Sequence, residues 1–271
     1  MRRRGLLMDK IRVAVCGTGF MGREVLAGVL REPGLEPAGV IEKFSDADSV
    51  RLPDGSGSIP LGKDPGALLD LVKPDVLIDF TNAAWTAEVA PAALQRGVRV
   101  VIGTTGLSEA FLKELEASCK AQGIGAVVAP NFAIGAVLMI HMAKLASGYF
   151  DFAEITEMHQ EKKADAPSGT AIATAQEMVA ARGKPFEHTD PEKDTLPNAR
   201  GAVYEGVALH SQRMPGFVAH QEVALGGLGQ TLRIRHDSTG RESFIPGVLL
   251  ATREVMKRRE LVIGLDKLIG L

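Results

Sequence analysis

Cysteine, aromatic residues and excess charge of one sign are all scarce in this chain, and each scarcity excludes a class of protein. Two cysteines, Cys16 and Cys119, occur among 271 residues, with no C-x-x-C pair and no Cys/His cluster at metal-ligand spacing. A disulfide framework and a structural zinc site are thereby excluded. Aromatic residues make up 5%, with Trp85 the single tryptophan, too few for a base-stacking platform. The 31 Lys and Arg nearly cancel 33 Asp and Glu to leave a net charge of −2. Without a basic stripe there is no phosphate-backbone footprint for nucleic acid. No apolar run approaches the ~20 residues that span a bilayer. The start, residues 1–8, is basic, but its apolar part is too short for a signal peptide; Met8 is an alternative translation start to Met1. A cytoplasmic chain is expected. The 45% hydrophobic and 24% charged residues are those of an ordinary globular protein rather than a disordered one. The length suits two modest domains or one large one.

The first half alternates short β-branched runs with helical patterns. Ile11–Cys16, Pro37–Ile41, Asp75–Phe80, Val98–Ile102 and Gly125–Ala129 read as strands. Met21–Arg31, Thr86–Gln95 and Ser108–Gln122 read as helices between them. Near-continuous Val/Ile strands joined by helices predict an α/β, doubly wound parallel sheet of Rossmann-like build. After Pro130 the texture changes. Asn131–Ser147 and Thr170–Arg182 read as helices, Asp151–His159 as an extended segment, and Lys184–Arg200 as a long loop. Val203–Gln212, Phe217–Leu225 and Gln230–His236 read as strands, and Glu242–Arg258 as a helix. The expected organisation is a dinucleotide-binding domain over 1–130, to which 241–271 returns. A second α+β domain over 131–240, with a mixed sheet, would bind substrate and mediate oligomerisation.

Gly17-Thr18-Gly19-Phe20-Met21-Gly22 is a G-x-G-x-x-G that follows a predicted strand and opens a predicted helix. Its glycines allow a tight turn, close approach of backbone to a pyrophosphate, and close helix–strand packing, while the helix N-terminus offers amides to phosphate. Glu42 ends the next strand, 20 residues past Gly22, where an acid that binds a ribose belongs. The alternative is a structural turn with a surface glutamate; agreement of strand, helix, acid and spacing favours a dinucleotide. The acid favours NADH, and the neighbouring Lys43 offers a cation to the 2′-phosphate of NADPH, so both coenzymes are expected to bind. Three further loops leave the carboxyl ends of strands: Phe80-Thr81, Gly103-Thr104-Thr105-Gly106, and Ala129-Pro130-Asn131-Phe132. Of these, the Gly103 to Thr105 loop gives backbone amides and hydroxyls where a nicotinamide ribose could pass.

Glu157-Met158-His159-Gln160-Glu161-Lys162-Lys163-Ala164-Asp165-Ala166-Pro167-Ser168-Gly169-Thr170-Ala171 reads as a strand end, a polar turn and a helix start. Ser168, Gly169 and Thr170 put hydroxyls and amides at the start of an Ala-rich helix, an anion pocket in which a carboxylate could dock. His159 and Lys163 add a group that titrates near neutrality and a cation. A solvated turn with an ordinary helix cap has similar weight on spacing alone.

The stretch nevertheless resembles the HHxxKxDAPSGTA signature of the 4-hydroxy-tetrahydrodipicolinate reductase (dihydrodipicolinate reductase) family, and the similarity extends over essentially the whole chain. It includes the glycine-rich loop, Asp79-Phe80-Thr81, Gly103 to Gly106, Pro130-Asn131-Phe132 and the Gly226–Ser243 region. The resemblance implies an oxidoreductase of the diaminopimelate route to lysine, a homotetramer using NADH or NADPH. A hydride would pass to the dehydrated form of 4-hydroxy-tetrahydrodipicolinate, giving tetrahydrodipicolinate. It implies His159 as proton donor and acceptor, Lys163 as a second proton donor, and Gly169 and Thr170 as holders of a substrate carboxylate. Two positions depart from the family pattern. Gln160 replaces its second histidine, turning a cationic substrate contact into an uncharged amide. Phe20 stands where Arg or Lys is common, removing a cation near the phosphates and weakening any NADPH preference. A different nicotinamide enzyme, such as an amino-acid dehydrogenase, gives no reason for the Lys163-to-Thr170 pattern. A dinucleotide-sensing module without chemistry is the other alternative, with Gln160 as its clue. Cys16, at a buried strand end, reads as a small hydrophobe. His141, Met139 and Met142 read as packing residues of the apolar helix. Arg213, His220, His236 and Arg241 default to surface or ion-pair roles.

Overall fold

The computed structural model describes residues 10–193 and 195–271; the alternative starts Met1 and Met8 lie outside the described residues. The chain divides into two compact units. One runs through Phe132 and resumes at Phe244–Leu271; the other is Ala133–Ser243.

The first unit is a doubly wound α/β sheet. Its strands are β1 (Ile11–Cys16), β2 (Leu35–Ile41), β3 (Ser49–Arg51), β4 (Ser58–Gly62), β5 (Val76–Asp79), β6 (Arg99–Ile102) and β7 (Ala126–Val128). The late strand β13 (Leu261–Ile263) completes the order β13-β7-β6-β5-β1-β2-β4-β3. Every pairing is parallel except that of β3 with β4. A parallel sheet is buried on both faces, which is why β1, β5 and β6 carry unbroken runs such as Val-Ala-Val-Cys and Val-Leu-Ile. The helices α2 (Pro65–Val72), α3 (Ala83–Leu94) and α4 (Glu109–Gln122) pack Leu69, Val89 and Cys119 onto Ala14, Leu77 and Val100. The helices α1 (Phe20–Arg31) and α7 (Ile245–Val255) pack together, and α7 also covers β6 and β7. A short α8 (Leu265–Ile269) follows β13. Strand order reverses at β1, flanked by β2 and β5. Ligands of open α/β sheets bind at the carboxyl ends of strands at such a switch point.

The second unit holds α5 (Ile134–Ala146), α6 (Gly169–Arg182) and strands β8 (Phe152–His159), β9 (Ala202–Tyr204), β10 (Val207–Arg213), β11 (Ala219–Gly227) and β12 (Gln230–Ser238). The sheet order is β12-β11-β8-β10-β9, with β8 and β10 parallel and the other pairs antiparallel. Ala153 and Ile155 of β8 face the helices and pack with Ala171, Ala175 and Met178 of α6. The single strand expected over Val203–Gln212 is two strands, divided where Glu205 and Gly206 adopt φ of 46° and 84°. Met142 is 46% exposed, unlike fully buried Met139; only the latter serves as the expected core filler.

Candidate active site

The residues expected to act fall into two clusters, one in each unit. In the first unit, β1 delivers the chain to Gly17, whose φ of +90° is open to glycine at little cost. A Cβ on Gly22 would lie 2.0 Å from the carbonyl oxygen of Gly17, so α1 starts directly against the turn. At Gly19 an added Cβ would meet nothing within 4 Å, and α1 begins without a side-chain cap. The first amides of a helix have no intrahelical partner, so this open end is a cradle of the kind a pyrophosphate fills. Gly19, Phe20, Met21 and Gly22 border a hollow of about 400 Å³ together with Glu42, Lys43 and Trp85. Phe20 is 76% exposed at its rim.

Glu42 sits at the far side of the same hollow. Its Oε2 accepts from the Thr18 amide at 2.8 Å and the Thr18 hydroxyl at 2.7 Å, and its Oε1 accepts from the Phe44 amide at 3.2 Å. Burial pushes this carboxyl up, but the three hydrogen bonds outweigh it and hold the group below the ordinary range. A carboxylate offers roughly four acceptor sites, so one remains for a ribose hydroxyl. Lys43 lies 3.2 Å from Glu88 and 4.3 Å above the Trp85 ring, held along the wall of the hollow.

The other loops named from the sequence meet around a smaller hollow of about 170 Å³, bordered by Met21, Phe80, Gly103, Pro130, Asn131 and Phe132. Phe80 and Phe132 rings lie 5.3 Å apart, and the Phe80 ring occupies the space a side chain at Gly103 would need. The Thr104 hydroxyl is buried without a hydrogen-bond partner, while Thr105 is exposed. Ala129 is fully buried with its amide given to Ile102. Both Ala129 and Phe132 therefore back the hollow through packing. Asp79, buried at the end of β5, accepts from Thr81 and from the Thr86 hydroxyl and fixes the loop after that strand. Burial pushes the Cys16 thiol far up, which fits the hydrophobe read from the sequence.

In the second unit, β8 ends at His159 and the following turn leads into α6. Ser168 caps α6 by accepting from the Ala171 amide at 3.2 Å. The amides of Gly169 and Thr170 stand in its first turn, ahead of the Ala171 amide that Ser168 takes, where the helix dipole favours an anion. Lys163 pairs with Asp165 at 2.6 Å, and Gln160 is exposed. His159 Nδ1 lies 2.5 Å from Glu157 Oε2, which leaves Nε2 as the outward edge of the ring. Burial pushes His159 below the ordinary imidazole range; Glu157 acts in the opposite sense, and Lys163 and Arg213 add to the lowering.

Glu157 and Arg213 form an ion pair beneath His159 that the sequence did not reveal. Glu157 is 1% exposed and receives the Arg213 fork at 2.6 and 2.9 Å. It continues the inward-facing parity of Ala153 and Ile155 on β8, and that period of two was the available signal. Arg213 stands directly across from His159 in the parallel register of β8 and β10. His220 has Nδ1 2.8 Å from Asp237, and its Nε2 accepts from the Val218 amide at 3.2 Å.

Two family models match the chain: dihydrodipicolinate reductase N-terminus over residues 11–132, and dihydrodipicolinate reductase C-terminus over residues 135–269. The chain belongs to the dihydrodipicolinate reductase family. Members of this family are NAD(P)H-dependent oxidoreductases of lysine and diaminopimelate biosynthesis, with the nucleotide-binding domain N-terminal. A 4-hydroxy-tetrahydrodipicolinate reductase of Dehalococcoides mccartyi is 45% identical over 265 residues, 97% of this chain and 100% of that protein. The enzyme of the same name from Geobacillus thermodenitrificans is 47% identical over 96% of this chain and 99% of its own. Among solved structures, dipicolinate-bound dihydrodipicolinate reductase from Paenisporosarcina sp. TG-14 superposes with a TM-score of 0.86 at 41% identity. That match covers 95% of this chain and 99% of the other. A dihydrodipicolinate reductase fold thus carries both clusters, and among the described residues no helix is long and apolar enough to cross a membrane.

Proposed function

We propose that this chain reduces the dehydrated form of 4-hydroxy-tetrahydrodipicolinate to tetrahydrodipicolinate, with the first unit holding NADH or NADPH and the second holding and protonating the substrate. The observation that carries this reading is the second-unit cluster, in which an imidazole, an ammonium and the first amides of α6 come from one continuous stretch, residues 159–170. That combination suits a small dianion that must also receive a proton. The dipicolinate bound by the Paenisporosarcina relative is a planar cyclic dicarboxylate of the same charge and outline.

The bound coenzyme supplies a hydride. This chain's groups do the remaining work. The amides of Gly169 and Thr170 hold one substrate carboxylate, and Lys163 and Gln160 face the dianion as cation and amide donor. Loss of the hydroxyl as water needs one proton delivered to the leaving oxygen and one removed from the neighbouring carbon. Addition of hydride to the resulting double bond needs one proton at its other end. These proton transfers are assigned to His159 Nε2 and Lys163 Nζ. For the coenzyme, Gly17 to Gly22 cradle the pyrophosphate, the spare acceptor site of Glu42 takes a ribose hydroxyl, and Lys43 is the cation available to a 2′-phosphate. The loops at Gly103, Thr104 and Thr105 and at Ala129, Pro130, Asn131 and Phe132 shape the nicotinamide end.

The test is coenzyme oxidation with substrate freshly generated by the preceding aldolase-type condensation. Turnover with both NADH and NADPH, and none without substrate, is expected. Coenzyme binding without turnover would instead favour the sensing module.

Gln160 gives a separate prediction. Gln160→His restores a second imidazole beside the dianion and is expected to lower KM for the substrate by roughly three- to tenfold at mildly acid pH, the gain when a neutral amide donor is replaced by a charged one on the same carboxylate. An unchanged KM would remove Gln160 from the substrate contacts.

We also infer a cytoplasmic homotetramer joined through the second unit. Support comes from β12, a nine-residue edge strand whose unpaired backbone invites another chain, beside exposed Leu228 and Leu232. Light scattering coupled to gel filtration reports the assembly mass.

A further inference from the structure

The polar residues buried beneath the second-unit cluster do more than fill space. Glu157 is the point at which three separate segments are tied together. Its two oxygens receive both terminal nitrogens of Arg213 from β10, the ring nitrogen Nδ1 of His159 from β8, and the Ser168 amide from the cap of α6, the last at 3.3 Å. Arg213 then reaches the carbonyl of Asp165 at 2.8 Å. The turn that presents Lys163 is thereby attached to the same carboxylate.

We propose that Glu157 is a positioning residue for the reaction: held by the Arg213 fork, its carboxylate fixes His159 as the Nδ1–H tautomer, turns Nε2 outward, and locks the imidazole in register with the start of α6. This rests on the role proposed above for His159, which a wrong tautomer would defeat. A neutral imidazole with its proton on Nδ1 has an accepting Nε2, which becomes the donor on protonation. A carboxylate can only accept from Nδ1, so it excludes the other tautomer. A glutamine in its place can turn its amide nitrogen to the ring and admit that tautomer. Glu157 cannot be the proton carrier itself. It is 1% exposed, and its proton affinity is held down by Arg213, Ser211 and His159 against the upward push of burial.

The charges around the ring are few. Glu157 lies on its own strand, Lys163 on the turn, and Arg213 on β10; on the β11 side the register partner is the apolar Ala219. Removing the one anion leaves two cations facing the imidazole. Removing Arg213 leaves the anion less opposed. The two changes therefore displace His159 in opposite directions, which a purely structural role for either residue would not do.

The experiment uses the full-length chain, labelled with nitrogen-15, with the histidine rings followed by long-range proton–nitrogen correlation across a pH titration. The chain has six histidines, and His159→Asn identifies the signal. In the wild type the Nδ1–H tautomer is expected. In Glu157→Gln the Nε2–H form is expected to appear and the titration midpoint to fall by about one pH unit, a tenfold change in proton affinity. In Arg213→Gln the Nδ1–H tautomer is expected to persist while the midpoint rises. Alongside, kcat of Glu157→Gln should drop by roughly 10–100-fold with KM little changed, since general acid–base assistance is what is impaired. An unchanged tautomer and midpoint in Glu157→Gln overturns the proposal, whatever happens to turnover. If that variant does not fold, a midpoint that fails to rise in Arg213→Gln overturns it equally. The expected ring signals in a wild type that never turns over substrate would instead count against the reductase reading.

Discussion

The substitution His159→Asn is expected to lower kcat for substrate-dependent coenzyme oxidation by about 10²–10⁴-fold, the range lost with a general acid–base group, while coenzyme binding stays intact. The amide would keep a polar side chain of similar reach at the end of β8, and the Glu157–Arg213 pair beneath it would remain. What disappears is the ability to give up a proton. The pH profile distinguishes this from damage to the fold. Burial holds His159 below the ordinary imidazole value of ~6.5, with Lys163 and Arg213 adding to the effect and Glu157 opposing it. In the free enzyme its acidic form exists only below that lowered pKa. The limb of kcat/KM that falls with rising pH is therefore expected on the acid side of the ordinary histidine range, and it should vanish in His159→Asn. A bound dianion favours the imidazolium, so the corresponding limb of kcat should lie at higher pH than that of kcat/KM. Stability follows the opposite sense. Between the folded and unfolded pKa values the unfolded chain binds more protons, so the wild type loses stability as pH falls through that window, and His159→Asn should flatten that loss. A His159→Asn enzyme that keeps full turnover would dismiss the histidine from the chemistry.

A single methyl group in the first unit is expected to have a comparably large effect by a different route. In Gly22→Ala the new Cβ would stand 2.0 Å from the Gly17 carbonyl oxygen and 2.8 Å from its carbon. Neither is the movable end of a side chain. Relief requires α1 to slide away from β1, or the Gly17 turn to open. Overpacking of this kind costs about 1–3 kcal/mol and sometimes more, and a few degrees of melting temperature per kcal/mol follow for a domain of this size. The same slide carries the first amides of α1 out of the cradle. NADH affinity, read by fluorescence titration, is accordingly expected to weaken at least about tenfold, as misplaced backbone amides lose charge-assisted contacts worth ~1.5 kcal/mol or more each. Unchanged affinity and unchanged melting would show that the helix start does not hold the coenzyme.

Much of the first unit was legible because its signals are local. Ile11–Cys16 is a strand to the residue, since a parallel strand buried on both faces announces itself as an unbroken apolar run. The glycine spacing and the position of Glu42 were readable for the same reason, and the structure joins them through Thr18. The Ser168 cap and the helix after it were also written in adjacent residues. Short elements were harder. β3, β4 and α2 together run from Ser49 to Val72 and hold several prolines and glycines, so no window long enough to show a period existed. Asp64 as cap and Pro65 at the first helical position were the only marks of α2.

The parallel pairing of β10 with β8 was invisible because the later strands follow one another like hairpins, and only the sheet order reveals β8 between β10 and β11. The role of Glu157 was hidden by distance along the chain. An acidic residue in a strand reads as solvent-facing until its partner is known, and Arg213 lies 56 residues away. Met142 failed for the opposite reason: an apolar helix seen alone does not say which of its faces will be covered.

The first unit is broken in sequence, since β13 pairs with β7 and α7 packs on α1 although all of the second unit intervenes. A ribosome therefore releases β1 to β7 long before their last neighbours are synthesised. The nascent sheet must wait with its β7 edge and the part of one face over β6 and β7 uncovered, while the inserted unit is contiguous and free to close on itself first. Truncation just after Ser243 should accordingly leave the inserted unit able to fold, and strip the coenzyme-binding half of an edge strand and a layer of its core.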